Sequence, residues 1–155
     1  RSRSGSPTWF RTRLALSIAY LTRRVTFAAA HRYRLPELSD SENEARFGLC
    51  ARPNFHGHTY TCDVTVRGTM EERTGMIMDL GVLDRVLERD VRSRFDHANL
   101  NLDITEFAEG TLMPTGENLA RFIFQTVQRG IGPAADVCEV RVAEDTTLAA
   151  SYRGE

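Results

Sequence analysis

Apolar and polar residues alternate over Arg24–His31, with Val25, Phe27, Ala29 and His31 on one face. Successive strand side chains point to opposite faces, so this pattern predicts a half-buried strand ending in a histidine. The same alternation runs from His58 to Gly68: His58, Tyr60, Cys62, Val64 and Val66 share one face, and Thr59, Thr61, Asp63, Thr65 and Arg67 the other. Thr74-Gly75 marks a turn, and Met76-Ile77-Met78 reads as a short extended return, giving an antiparallel meander of three segments. Between the two long strands, Arg32–Phe47 is polar and acid-rich. It reads as a long loop with one helical turn at its end, a length that compact domains often give to function.

The period then changes. Leu80, Leu83, Val86, Leu87 and Val91 recur at helical spacing, which predicts a helix from Leu80 to about Arg94 with Asp79 as N-cap. Phe95–Asn101 breaks the pattern. A second helix follows Pro114, capped by Thr115, with Glu117 in its first turn and Leu119, Phe122, Ile123 and Val127 as its apolar stripe; Gly130, Gly132 and Pro133 end it. Val137–Glu144 alternates again, placing Cys138, Val140, Val142 and Glu144 on one face, and Leu148–Tyr152 reads as a last short strand. Strands, then helices, then strands predict an α+β domain with a mainly antiparallel sheet.

The 155-residue length fits one domain, which begins near Tyr20. Residues 1–19 are expected to lie outside it, as a disordered or incidental extension or as a targeting leader, since they are arginine-rich and acid-free. Residues 1–24 hold six of the 20 arginines, leaving 14 against 21 acids in the remainder. A mildly acidic body offers no broad footprint for nucleic acid. There is no lysine, which excludes Schiff-base chemistry and a Walker-type phosphate loop. Three cysteines without C-x-x-C spacing suit a reducing compartment, so the expected location is cytoplasmic, with organelle targeting by the leader as the rival. No apolar run approaches the ~18 residues of a membrane span, so no membrane partner is expected.

The candidate chemistry gathers at Cys50–His58. His56 and His58, two apart on a strand, face the same way, with Gly57 between them. If the two long strands pair, His31 comes close to both. Three neutral imidazoles suit Zn²⁺ with a fourth position open, an arrangement typical of catalytic rather than structural zinc. Cys50 is a candidate thiol, either a base or nucleophile beside a cation or a small buried hydrophobe. Cys62 and Cys138, on apolar strand faces, read as buried hydrophobes. Asp96-His97 is either a relay, with the carboxylate fixing the imidazole tautomer, or an ordinary helix-terminal loop. Glu144 is either a solvated rim residue or a buried carboxylate able to accept two parallel N–H bonds.

Several ordered motifs carry a resemblance: Phe27-Ala28-Ala29-Ala30-His31-Arg32, Phe47-Gly48-Leu49-Cys50, Asn54-Phe55-His56-Gly57-His58-Thr59-Tyr60, Thr74–Leu80, Asp96–Leu100, Pro114–Asn118 and Tyr152–Glu155. From about Leu21 onward the chain resembles the 6-pyruvoyltetrahydropterin synthase family, which includes the 6-carboxytetrahydropterin synthases. The resemblance implies a T-fold: a four-stranded antiparallel sheet with two helices on one face. Subunits of this fold join into barrels, as trimers or hexamers, with active sites between subunits. It implies zinc on His31, His56 and His58, Cys50 as catalytic thiol with Asp96 and His97 as the second acid–base group, and Glu144, Thr115 and Glu117 as substrate-binding residues. The implied substrate is 7,8-dihydroneopterin triphosphate. The product is 6-pyruvoyltetrahydropterin, for tetrahydrobiopterin synthesis, or 6-carboxytetrahydropterin with loss of acetaldehyde, for queuosine synthesis. The five residues between Cys50 and His56 look like the pyruvoyl branch, but Phe55 stands where that branch usually has glycine. Rival readings are a non-catalytic zinc-stabilised pterin-binding oligomer and a metal-independent Cys-His hydrolase built on Cys50 and His97.

Overall fold

The computed structural model describes residues 17–155. Expectations for the arginine-rich leader lie outside the described residues up to position 16; at Ile18 the chain is already in the first strand. That strand, β1 (Ile18–His31), starts six residues before the apolar alternation predicts. Ile18 and Tyr20 are exposed, so backbone pairing rather than burial extends it: Ile18 lies opposite Thr69 at the far end of β2 (His56–Thr69). The two strands stay antiparallel and in register along their whole length, ending with His31 opposite His56.

The connection between them is more ordered than a loop. It contains helix α1 (Asp40–Phe47), whose N-cap Ser39 forms a capping box with Glu42. Buried Asn43 donates to the Leu35, Leu38 and Ser39 carbonyls and accepts from Leu35 N–H, tying the preceding turn to the helix. A 3-10 turn, Gly48–Ala51, follows and carries Cys50. The expected extended return at Met76–Met78 does not form a strand. Hydrogen bonds from Glu71 N to Met76 O and from Gly75 N to Glu71 O close a tight turn there, and Met78 is anchored by burial instead of pairing.

Helix α2 (Leu80–Leu87), N-capped by Asp79, continues through a wider π turn, Glu88–Arg92, into a last turn, Ser93–Phe95. Helix α3 (Gly116–Ile131) begins at Thr115, whose hydroxyl accepts from Asn118 N–H, as the sequence predicts. The helices approach closely at Gly130, where an added Cβ would lie 2.6 Å from Val86 Cγ1. Both lie over one face of the sheet. Leu83, Val86, Leu87, Val91, Leu119, Ile123 and Val127 meet Phe27, Tyr60, Cys62, Val64, Val66, Val140 and Val142 in one core. Full burial of each such large side chain contributes roughly 1.5–3 kcal/mol.

Four strands are antiparallel neighbours in the order β1–β2–β4 (Asp136–Ala143)–β5 (Ala149–Tyr152). A two-residue strand, β3 (Ala98–Asn99), adds to β1 in parallel, so the sheet order is β3-β1-β2-β4-β5. One expectation on β4 needs correction. The pairing slips between Thr65 and Val66, which makes Cys138 the extra residue of a bulge. Val137 and Val140 therefore both face the core, while Cys138 is only half-buried and directs its Sγ to the Thr65 carbonyl at 3.4 Å. Cys62 is fully buried as expected, and burial pushes its thiol up to about 12.

Candidate active site

The β1–β2 register sets the site. Because His31 lies opposite His56, and His58 is two residues further along β2, all three imidazoles emerge on the core-facing side at one end of the sheet. Their ring centroids are 4.5–5.0 Å apart, and their ligand nitrogens lie within 4.8 Å of one another. His31 Nε2 and His56 Nε2 are 3.0 Å apart. Two nitrogens on one tetrahedral zinc, at about 2.05 Å each, would be roughly 3.3 Å apart. A side chain at Gly57 would point to the opposite face and meet the Ala29 carbonyl at 3.3 Å, so this glycine serves close strand packing.

The surroundings prepare these rings for a cation. His31 is fully buried, and its Nδ1 donates to the Pro114 carbonyl at 2.9 Å. A carbonyl only accepts, so the proton sits on Nδ1 and the Nε2 lone pair faces the cluster. The Tyr60 hydroxyl also reaches His31 Nδ1, at 3.1 Å. Burial, only partly offset by the Pro114 hydrogen bond, lowers His31 to about 4, and burial with the neighbouring His58 lowers His56. Both are therefore neutral imidazoles at ordinary pH. His58 Nε2 is buried without a hydrogen-bond partner, the sole such side-chain atom among the described residues. Buried polar atoms are rarely left orphaned, and three converging nitrogens with one unsatisfied fit a divalent metal of the zinc type.

Glu144, just past β4, closes one side of the cluster. It is buried, with Oε2 3.7 Å from His58 Nε2, while Oε1 accepts from the Tyr33 hydroxyl at 3.3 Å. Burial raises its carboxyl, and His58 and Tyr33 work against that shift. Beside it opens a cavity of about 320 Å³, walled by Tyr33, Phe47, Met113, Val142 and Leu148 and carrying Thr115, Glu117 and Glu144 as polar groups. A flat ring fits such a space, with the carboxylate available to paired N–H donors. The three expected substrate-binding residues thus share one cavity next to the histidines.

Cys50 is half-buried in its 3-10 turn. The Cys50 carbonyl accepts from Tyr33 N–H at 2.8 Å, and burial followed by the Glu144 carboxylate pushes the thiol up. Asp96 and His97 sit at the β1 edge, where His97 borders a shallow hollow that His58 also lines. Asp96 Oδ1 accepts from Ala28 N–H at 2.8 Å, and His97 N–H donates to the Ala28 carbonyl at 2.6 Å. The two side chains pair at 3.1 Å, and His97 is 85% exposed, with its backbone held at φ 62°. No hydrogen bond, ion pair or ring contact among the described residues joins this pair to Cys50 or to the histidine cluster.

Two contributors escaped the sequence reading. Tyr33 lies in the polar connection, where no periodicity singles it out, yet it touches Glu144, His31 (ring centroids 4.9 Å apart) and Phe47. Pro114, legible only as a helix-start signal, supplies the carbonyl that orients His31.

Comparison with known proteins gives a consistent result. The sequence profile of the 6-pyruvoyl tetrahydropterin synthase family matches residues 20–155. The 6-pyruvoyl tetrahydrobiopterin synthase of Drosophila melanogaster is 40% identical over 137 residues, 88% of this chain and 80% of the relative. That of Homo sapiens is 38% identical over 137 residues, covering 88% and 92%. A 6-carboxy-5,6,7,8-tetrahydropterin synthase of Bacillus subtilis is 35% identical over 83 residues, about half of each chain (52% of both). The solved 6-pyruvoyl tetrahydropterin synthase of Caenorhabditis elegans superposes with a TM-score of 0.84 at 32% identity, covering 90% of this chain and 98% of that one.

Proposed function

Because the chain belongs to the 6-pyruvoyl tetrahydropterin synthase family, we propose that it is a zinc-dependent lyase converting 7,8-dihydroneopterin triphosphate to 6-pyruvoyltetrahydropterin with loss of triphosphate. Lyase activity in pterin biosynthesis follows from the family. Zinc, the substrate and the product are our reading. The observation that carries it is the buried, unpartnered Nε2 of His58 among three converging imidazoles, beside a buried carboxylate and a thiol-bearing turn.

In this reading His31, His56 and His58 hold the zinc, which when bound polarises the side-chain hydroxyls of the substrate and lowers their pKa. Glu144 accepts the amino-pyrimidine edge of the pterin through two parallel N–H bonds, in the cavity bordered by Thr115 and Glu117. Cys50 exchanges a proton with the side-chain carbon on one face. Asp96 orients His97 as the second acid–base group. Since no hydrogen bond, ion pair or ring contact among the described residues joins the exposed His97 to Cys50 of its own subunit, it serves the Cys50 of a neighbouring subunit, and the working enzyme is a homo-oligomer, trimer or hexamer. The five residues between Cys50 and His56, and the relatives matched over 88% of the chain, favour the pyruvoyl product over the carboxy product.

Incubation of zinc-loaded protein with dihydroneopterin triphosphate, with products identified by mass, tests the proposal. Triphosphate release with a pyruvoyl pterin, abolished by a chelator and restored by zinc, supports it. Absence of turnover, or turnover insensitive to metal removal as in a Cys-His hydrolase, overturns it. Acetaldehyde release assigns the carboxy product instead. Activity unchanged in Cys50→Ala removes the thiol from the mechanism.

A further inference from the structure

Three arginines are half-buried among the described residues: Arg32, Arg34 and Arg94. Arg34 is paired with Asp40 and Glu109, and Arg94 with Glu106. Arg32 has no carboxylate partner. Its Nε donates to the Ala51 carbonyl at 2.7 Å, and its backbone is clamped by Asn101, which accepts from Arg32 N–H at 2.8 Å and donates to the Arg32 carbonyl at 3.1 Å. This fixes the guanidinium against the Cys50 turn. It spends one of five N–H donors and leaves both terminal nitrogens without a protein acceptor. Neither is sealed from solvent, so an incoming ligand can reach them.

Held in place by the Ala51 and Asn101 contacts, the guanidinium offers an incoming anion a pre-oriented pair of terminal N–H donors that no carboxylate of the described residues occupies. The next residue after Ala51 is Arg52, exposed and also without a carboxylate partner. Both arginines adjoin reactive groups: Arg32 follows His31 in the chain, and Arg52 stands two residues after Cys50. The ring cavity at Glu144 is lined by neither arginine.

We propose that Arg32, with Arg52 at its rim, forms the anion subsite that takes the phosphate chain of the substrate. The order along the site is then ring at Glu144, reacting side chain at the histidines and thiol, and phosphates at Arg32. The planar guanidinium fork matches two phosphate oxygens at once, which a lysine in its place would not. The proposal rests on the pterin triphosphate reading.

The zinc-loaded full chain is assayed with three probes: dihydroneopterin triphosphate, unphosphorylated dihydroneopterin and inorganic triphosphate as a competitor. Arg32→Gln is expected to raise KM and the inhibition constant of inorganic triphosphate by at least about tenfold, as loss of a charge-assisted pair does. Dihydroneopterin affinity should stay within about twofold, Arg32→Lys should recover part of the loss, and Arg52→Gln should give a smaller effect of the same sign. Equal weakening of phosphorylated and unphosphorylated ligands overturns the proposal, as does unchanged triphosphate inhibition. Dissociation of the oligomer in Arg32→Gln, with triphosphate inhibition retained, also overturns it by assigning the guanidinium to a carboxylate of a second copy. Triphosphate binding lost on Arg32→Gln in a wild type that shows no turnover leaves the subsite standing and removes the lyase reading alone.

Discussion

Nδ1 of His31 lies 2.9 Å from the carbonyl oxygen of Pro114, 83 residues away in sequence. The bond fixes the imidazole tautomer and ties the end of β1 to the start of α3, so the Nε2 lone pair of His31 is aimed at the other two rings by the fold itself. His58 supplies the nitrogen with no hydrogen-bond partner. We expect His58→Gln, a change at a half-buried position, to weaken zinc binding by more than about 100-fold, since loss of even an orienting partner costs about 10–100-fold. Elemental analysis after dialysis checks this; equimolar zinc retained by the variant would sink the three-histidine assignment. Circular dichroism of the same sample reports whether the fold is kept.

Tyr33 joins the site by three routes: its N–H to the Cys50 carbonyl, its ring edge against His31, and its hydroxyl to Glu144. Removing the hydroxyl leaves the first two in place. Tyr33→Phe should therefore loosen Glu144 alone. One long hydrogen bond to a carboxylate is worth about 1 kcal/mol, so KM should rise about fivefold with kcat within about twofold. Equal falls in kcat and kcat/KM would place Tyr33 in the chemical step.

The histidine cluster was legible because strand alternation and register are sequence-local rules: once β1 and β2 pair, His31, His56 and His58 must share a face. Thr115 and Asp79 were equally readable, since a cap acts within three residues of itself. Other features depended on relations that alternation does not carry. The bulge at Cys138 shifts the phase of β4 by one residue, so a cysteine that alternates with Val140 and Val142 leaves the core. The capping box of Ser39 and Glu42 was present in the sequence, but the acidic run around it resembles a solvated loop. The bonds from Tyr33 to Glu144 and from His31 to Pro114 join residues 111 and 83 apart in sequence.

The Arg24–Asp63 pair on the outer sheet face gives a pH test. The two Arg24 nitrogens bond both carboxylate oxygens at 2.7 and 2.8 Å, and this holds Asp63 below its ordinary range. A carboxyl depressed in the folded state binds fewer protons there than in the unfolded chain. Its stabilisation is therefore present above the unfolded value of about 4 and is lost as pH falls through the folded one. Solvent limits the effect to no more than about 1 kcal/mol. Asp63→Asn should lower the melting temperature at pH 7 by about 2–4 °C at most, and the gap should narrow steadily as pH falls below about 4. A gap that does not narrow at all between pH 7 and acid would mean that packing, not charge, is lost.

Phe55 occupies the left-handed region at φ 58°, closing the turn in which its N–H donates to the Arg52 carbonyl at 3.3 Å. For an L-residue this backbone costs about 1–2 kcal/mol, which glycine avoids. Glycine in turn loses about 0.5–1 kcal/mol of chain entropy on folding, so the net preference for glycine over alanine is about 0.5–1 kcal/mol. Both substitutions remove the half-buried ring, and comparing them cancels that loss. Phe55→Gly should therefore melt about 1–4 °C above Phe55→Ala. Should alanine equal or exceed glycine, the turn has relaxed out of the left-handed region. The comparison bears on function, because this turn sets the approach of His56 to the cluster: a relaxed turn in the alanine variant should also lower its zinc content relative to the glycine variant.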